Sequence, residues 1–166
     1  MGGGRAEWFS VKRFDVRSLR FDERNEAWRR FPVEVEPFVL GGAPYDVRGG
    51  QVDLSLSAGR VGERLTLTVS FSATLRGPCD RCLETAEIPV EVRAVEVVRR
   101  GESEGADPDE AYVRGSILDI HAWVRDLIAS ALPERMLCSE GCRGLCPICG
   151  ANLNTEPEHT HEVTGS

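Results

Sequence analysis

Leu65-Thr66-Leu67-Thr68-Val69-Ser70-Phe71-Ser72-Ala73-Thr74-Leu75 alternates apolar and hydroxyl-bearing side chains without a break over eleven residues. In extended backbone, successive side chains point to opposite faces, so this period of two places the apolar groups on one side of a strand and the polar ones on the other. A helix would spread the same residues around its circumference. The stretch therefore specifies a sheet with one apolar and one wet face, the usual pattern of antiparallel sheets.

Working outward, Val52, Leu54 and Leu56 alternate in the same way with Asp53, Ser55 and Ser57, and Gly59 and Gly62 fit the connection between the two strands. On the other side, Ile88, Val90, Val92 and Ala94 predict a strand that changes phase at Val95 and Val97, as a bulge would cause. Val33, Val35, Val39 and Leu40, interrupted by Pro37 and closed by Gly41-Gly42, read as an edge strand, because proline cannot donate to a central ladder. Nearer the N-terminus, Val11 to Leu19 predicts a first strand and Arg24 to Arg30 a helical turn ended by Pro32. Residues 101–110 hold five acids and no base, the composition of a solvated loop. Beyond them Asp119 can cap a helix in which Ile120, Trp123, Val124, Leu127, Ile128 and Ala131 recur at three- and four-residue steps, with Pro133 as the stop. The expected fold is α+β: a mainly antiparallel β-sheet with one packed helix and a C-terminal zinc-knuckle segment. Residues 1–133 form the sheet domain with helix 119–131, and 134–166 form a cysteine-rich, zinc-binding segment.

Composition agrees with one domain and a small appendage: 166 residues, 41% hydrophobic and 28% charged. No stretch reaches the ~18 apolar residues of a membrane span, and no apolar run follows Met1-Gly2-Gly3-Gly4-Arg5. A cytoplasmic protein is expected. The net charge of −7 is uneven, because residues 1–30 carry eight basic against five acidic groups. An acidic whole argues against indiscriminate coating of nucleic acid, while local arginines can still meet phosphates.

All six cysteines fall in two places, Cys79-x2-Cys82 between two strands and Cys138-x3-Cys142-x3-Cys146-x2-Cys149 after the helix. A reducing compartment disfavours disulfides, whereas a two-residue gap lets both thiolates of a tight turn converge on one tetrahedral ion. Thiolates in such a set suit zinc, and nothing resembles the cysteine run of a ferredoxin. In Cys146-Pro147-Ile148-Cys149-Gly150, proline presets the turn and glycine lets backbone amides approach the second sulfur. With His159 and His161 the chain offers eight ligands, the number two tetrahedral sites need. The preferred pairing joins Cys79 and Cys82 to Cys138 and Cys142, and Cys146 and Cys149 to His159 and His161. One compact site from Cys138, Cys142, Cys146 and Cys149 competes with it, and spacing alone leaves both open. Between Cys138 and His161 the large aliphatics are Leu145, Ile148 and Leu153, too few to offset ~1–2 kcal/mol of backbone entropy per ordered residue. Structural zinc contributes ~10–16 kcal/mol in small peptides and can hold such a segment.

Three motifs in order resemble one family. They are Gly77-Pro78-Cys79-Asp80-Arg81-Cys82-Leu83-Glu84, the Asp119 helix leading to Leu132-Pro133, and Cys142 through Asn154 with Cys146-Pro147-Ile148-Cys149-Gly150-Ala151-Asn152-Leu153-Asn154. Over roughly residues 11–154 the chain is similar to the YceD-like family of large ribosomal RNA subunit accumulation proteins. The resemblance implies a bacterial factor needed for normal levels of 23S ribosomal RNA, in its processing or in large-subunit assembly, without established catalysis. Many relatives carry Cys-x-Cys where His159 and His161 stand, a change that keeps zinc chemistry, and an Asp-Pro-Arg segment that is missing here.

No enzyme is expected. The chain has no phosphate-binding glycine loop ending in Lys-Ser/Thr, its single lysine being Lys12, and no His-Glu-x-x-His pair. The expected partners are ribosomal RNA or a large-subunit ribosomal protein, with no membrane and no small-molecule substrate. Arg76, Arg81, Arg135 and Arg143, close to the zinc motifs, are the residues expected to touch phosphates. A zinc-dependent redox-responsive chaperone or sensor is the alternative.

Overall fold

In a computed structural model that describes residues 11–99 and 112–161, the chain runs through β1 (Arg13–Asp15), a 3-10 turn (Val16–Ser18), β2 (Glu26–Glu34), β3 (Phe38–Leu40), β4 (Ala43–Val47), β5 (Gln51–Val61), β6 (Arg64–Pro78), β7 (Thr85–Arg99), β8 (Val113–Arg114), β9 (Ile117–Asp119) and α1 (Ile120–Ser130). The predicted acidic loop at 101–110 lies outside the described residues. β6, the alternating stretch, is the centre of an antiparallel sheet. β7 pairs with one edge of it along its whole length, from Arg64 opposite Arg99 to Pro78 opposite Thr85. On the other edge β5 pairs with the first half and β4 with Leu75 and Arg76, while β2 lies outside β5 and β3 outside β4. A small sheet in the order β1-β9-β8 and the helix α1 cover the inner face.

The core follows from the alternation. Leu54, Leu56, Leu67, Val69 and Leu75 meet Leu118, Ile120, Trp123, Val124 and Ile128, all buried. Each fully buried aliphatic of this kind contributes about 1.5–3 kcal/mol relative to exposure, enough for the sheet to hold its helix without metal. Asp119 caps that helix as expected, its Oδ1 accepting from the Ala122 amide at 3.0 Å. Among the described residues no helix is long and apolar enough to cross a membrane.

Several local expectations change. The predicted helical turn at Arg24–Arg30 is instead the entry to β2: Asp22 Oδ1 accepts from the Arg24 and Glu26 amides, Asn25 takes φ 60°, and the chain extends. Ala27 and Val33 then bury their side chains by period two, and pairing with β5 overrides local preference. Pro32 is tolerated because β2 is an edge strand. Of Val11–Leu19 only Arg13–Asp15 is strand. Pro37 divides the expected single edge strand, leaving Val33 in β2 and Val39 and Leu40 in β3. Gly59 sits inside β5, and the hairpin turns at Gly62-Glu63 with Gly62 at φ 57°. β7 has no bulge: its register with β6 never slips, and Val95 and Val97 face outward, 56% and 54% exposed. Their β-branched shape suits a strand on either face, so apolar character alone did not mark the inner side.

Candidate metal centres

The β6–β7 connection is a tight turn. The Cys79 amide donates to the Glu84 carbonyl at 2.7 Å, the Leu83 amide donates to the Cys79 carbonyl at 2.9 Å, and Leu83 itself takes φ 62°. This geometry turns both thiols of Cys79-Asp80-Arg81-Cys82 to one side. After α1 the chain returns across the turn and is clamped there: the Asp80 amide donates to the Met136 carbonyl at 2.8 Å, and the Met136 amide donates to Asp80 Oδ2 at 2.9 Å. The clamp delivers Cys138 and Cys142. Cys79 Sγ lies 3.7 Å from Cys142 Sγ, and Cys82 Sγ lies 3.5 Å from Cys138 Sγ. Four sulfurs ~2.3 Å from a common ion would stand about 3.8 Å apart, so the set matches a tetrahedral thiolate site.

Cys146-Pro147-Ile148-Cys149-Gly150 forms the second turn. The Gly150 amide donates to the Cys146 carbonyl at 2.8 Å with Gly150 at φ 77°, and the Cys146 amide donates to the Ala151 carbonyl at 2.8 Å. A turn after Asn152 then brings back the two histidines. Cys146 Sγ lies 3.0 Å from His161 Nε2, Cys149 Sγ lies 3.2 Å from His159 Nε2, and the two Nε2 atoms are 3.1 Å apart. His159 Nδ1 is 3.3 Å from Glu156 Oε2, so the carboxylate holds the ring with Nε2 turned toward the other ligands.

Within each set the four ligand atoms lie within 4.8 Å of one another, and each set could hold a metal ion. The arrangement matches the preferred pairing and departs from the compact alternative, since Cys138 and Cys142 face the sheet's pair. Electrostatics points the same way. Burial pushes the Cys79 thiol up, but the backbone amides of Cys138, Cys82 and Arg81 outweigh it and hold the group at about 6. Burial, with Cys138, Cys79 and Cys142 beside it, pushes Cys82 up to about 12. Some sulfurs of this cluster are thus readily ionised and others resist, as expected where several thiols crowd together. A divalent ion removes that conflict. Cys146 is held at about 6, chiefly by the backbone amides of Cys149 and Ile148.

The two centres are coupled through residues that spacing did not single out. Asn154 donates from Nδ2 to Cys142 Sγ at 3.4 Å and accepts the Arg143 amide on Oδ1 at 2.8 Å, tying the second turn to the first sulfur cluster. The Asn154 contact is the largest influence lowering the Cys142 thiol. Gly144, at φ 77°, passes so close to Arg81 that a Cβ would sit 3.1 Å from its carbonyl oxygen. Asn152-Leu153-Asn154 after the knuckle was the one sequence signal of this role. Asp80 and Glu156 gave none, because Asp80 meets distant backbone and Glu156 is an ordinary acidic residue of a polar tail until the fold sets it beside His159.

Three of the four arginines expected to touch phosphates make contacts within the chain. Arg76, on β6, donates from Nε to Asp46 Oδ1 at 2.6 Å. Arg81 donates from Nη1 to the Cys142 carbonyl at 2.9 Å, and Arg143 donates from Nη1 to the Pro157 carbonyl at 2.9 Å, so both also brace the metal segment. Arg135 is exposed beside the clamp.

Comparison with known proteins gives a consistent picture. Residues 67–165, from within β6 to the tail, match the family model described as the large ribosomal RNA subunit accumulation protein YceD. That span includes all eight ligands and starts later than the resemblance read from the sequence. An uncharacterized protein of Mycobacterium tuberculosis and one of Mycobacterium bovis are each 33% identical over 119 residues, covering 69% of this chain. The aligned region covers 58% of those relatives' own length. No solved structure matches the chain.

Proposed function

This chain belongs to the YceD family, and from that membership we propose that it is a noncatalytic zinc-binding factor for 23S ribosomal RNA accumulation and large-subunit assembly. The observation that carries the metal part is the pair of complete ligand sets, Cys79, Cys82, Cys138 and Cys142, then Cys146, Cys149, His159 and His161. Four protein donors fill a tetrahedron and leave no position for a substrate or an activated water, which is the character of a structural zinc site. Bound zinc would supply folding free energy and neutralise crowded thiolates. The chain's own groups do the rest: backbone amides point at Cys79 and Cys146, Asn154 orients Cys142, and Glu156 orients His159.

The proposed partner is ribosomal RNA or a large-subunit ribosomal protein, met in the cytoplasm. A guanidinium has five N–H donors, so Arg76, Arg81 and Arg143 keep donors for phosphate beyond the contacts they make within the chain, and Arg135 adds a fourth. The test is complementation. In bacteria deleted for the corresponding gene, this chain is expected to restore the ratio of 23S to 16S RNA, and a variant with both ligand sets replaced by serine is expected to fail. An unchanged ratio after deletion would overturn the reading.

A further inference from the structure

The wet face of the sheet carries a feature that neither metal centre explains. Register places Arg30, Ser55, Ser70 and Arg93 in one unbroken row across β2, β5, β6 and β7, and Trp28, Ser57, Thr68 and Val95 in the next. Small hydroxyl side chains form the floor, and the tall groups stand on the two edge strands. The result is an open trough of about 450 Å³ lined by Trp28, Arg30, Ser55, Ser57, Thr68 and Arg93 among others, with no carboxylate in its lining. Trp28 is 57% exposed, far outside the core that takes Trp123. Arg30 reaches inward over the floor, its Nε donating to Ser55 Oγ at 3.3 Å. Among the described residues neither Arg30 nor Arg93 has an ion-pair partner.

We propose that this face binds single-stranded RNA, with Trp28 stacking on a base, Arg30 and Arg93 holding phosphates, and the serine and threonine hydroxyls meeting sugar or base edges. An indole left in water on a polar sheet presents a π-face that any unpaired base can use. Two guanidiniums that make no ion pair among the described residues, although Asp53 and Glu91 stand one row away, offer free donors to an anion in a chain of net charge −7. Three inter-strand steps of ~4.8 Å separate their backbones by roughly 14 Å, a span for a short length of strand laid across the sheet. A duplex cannot use the site in this way, because its bases are already stacked. Asp53 and Glu91 line the adjoining cleft, which shares Arg30 and Arg93 with the trough, and Glu26 lies beyond Trp28, so the site is limited to these two rows.

The inference rests on the ribosomal RNA reading and adds a surface to it. It is tested with the full zinc-loaded chain and fluorescein-labelled 12-nucleotide oligouridine, read by anisotropy at two salt concentrations, with 23S RNA fragments as a second probe. Trp28→Ala is expected to weaken binding at least fivefold, the lower end of what one stacked base contributes. Arg30→Ala/Arg93→Ala is expected to flatten the salt dependence by about 1.4 in log–log slope, the value for two single-strand phosphates. Zinc content and circular dichroism show that the variants are folded. Wild-type affinity in both variants overturns the sheet-face site and leaves the ribosomal RNA reading standing. If the wild-type chain binds neither probe, both fail. If the arginine variant loses binding to polyglutamate as much as to RNA while Trp28→Ala is silent on both, the face is a docking site for acidic protein and the proposal is overturned.

Discussion

Replacing Cys82 by serine isolates what the first centre does. Cys82 is 3% exposed and supplies one of four sulfurs that join the β6–β7 turn to the segment after α1. If a structural zinc contributes ~10–16 kcal/mol through four ligands, losing one thiolate costs about 3–4 kcal/mol, a few hundredfold in zinc affinity. The remaining hydrogen bonds between turn and tail are the Asp80–Met136 pair, the Arg81–Cys142 contact and the Leu145 amide on the Arg81 carbonyl, beside a small apolar cluster of Met136, Leu137 and Leu145 with Tyr45, Ala86 and Ile88. Each hydrogen bond is worth ~0.5–1.5 kcal/mol net, so the four together contribute about 2–6 kcal/mol, comparable to the lost thiolate. Residues 134–161 should therefore lose protection by about the thiolate's share, while the sheet, whose main core is a separate cluster, keeps its melting behaviour. Hydrogen exchange with zinc titrated against a competing chelator reads both quantities. Cys149→Ser is the control, because it removes a ligand from the second centre only and should leave protection around Met136 intact. A Cys82→Ser protein that keeps wild-type zinc affinity and a protected tail would show that this thiolate neither binds metal nor ties the tail to the turn.

Gly77→Ala would place a Cβ 2.5 Å from the Tyr45 ring, which stacks on Phe38, and 3.4 Å from Met136 Cε, so a loss of about 1–3 kcal/mol is expected in denaturant unfolding. Asn154→Ala removes the hydrogen bonds to Cys142 Sγ and from the Arg143 amide; zinc should leave the first centre roughly tenfold faster, read by stopped-flow chelation, with the second centre unchanged. Acid should release metal. Folding lowers the Cys146 thiol from 9.0 to about 6, so its contribution is complete above about pH 9 and is lost as pH falls through about 6. Zinc release followed by a chromophoric chelator should rise across that window, and a flat profile from about pH 8 to pH 5 would contradict it.

The sheet was legible because burial on one face forces a period of two, and β5 and β6 display it cleanly. The helix was legible through its cap and its stop. What failed was local: the Arg24–Arg30 turn, where Asn25 in a left-handed conformation starts a strand whose fate is set by pairing with β5, and the supposed bulge at Val95, where valines occupy the outer face. The ligand pairing was legible in part, since spacing brought Cys79 to Cys82 and Cys146 to Cys149 but could not say which turn Cys138 and Cys142 would face. That is decided by the Asp80–Met136 clamp, in which the Asp80 carboxylate and amide both meet the Met136 backbone, a partner with no sequence mark. The row from Arg30 to Arg93 emerges only from the register of four strands, two of which were misread in part.

In the proposed arrangement one zinc ion on Cys79, Cys82, Cys138 and Cys142 holds the C-terminal segment to the sheet, and a second on Cys146, Cys149, His159 and His161 closes that segment on itself. Zinc K-edge absorption on the purified chain, with elemental analysis of the same sample, tests it most directly. Two zinc per chain with an average shell of three sulfurs and one nitrogen, from one all-sulfur and one mixed site, is the expected result. One zinc per chain in an all-sulfur shell, with Cys79 and Cys82 open to alkylation, would contradict it.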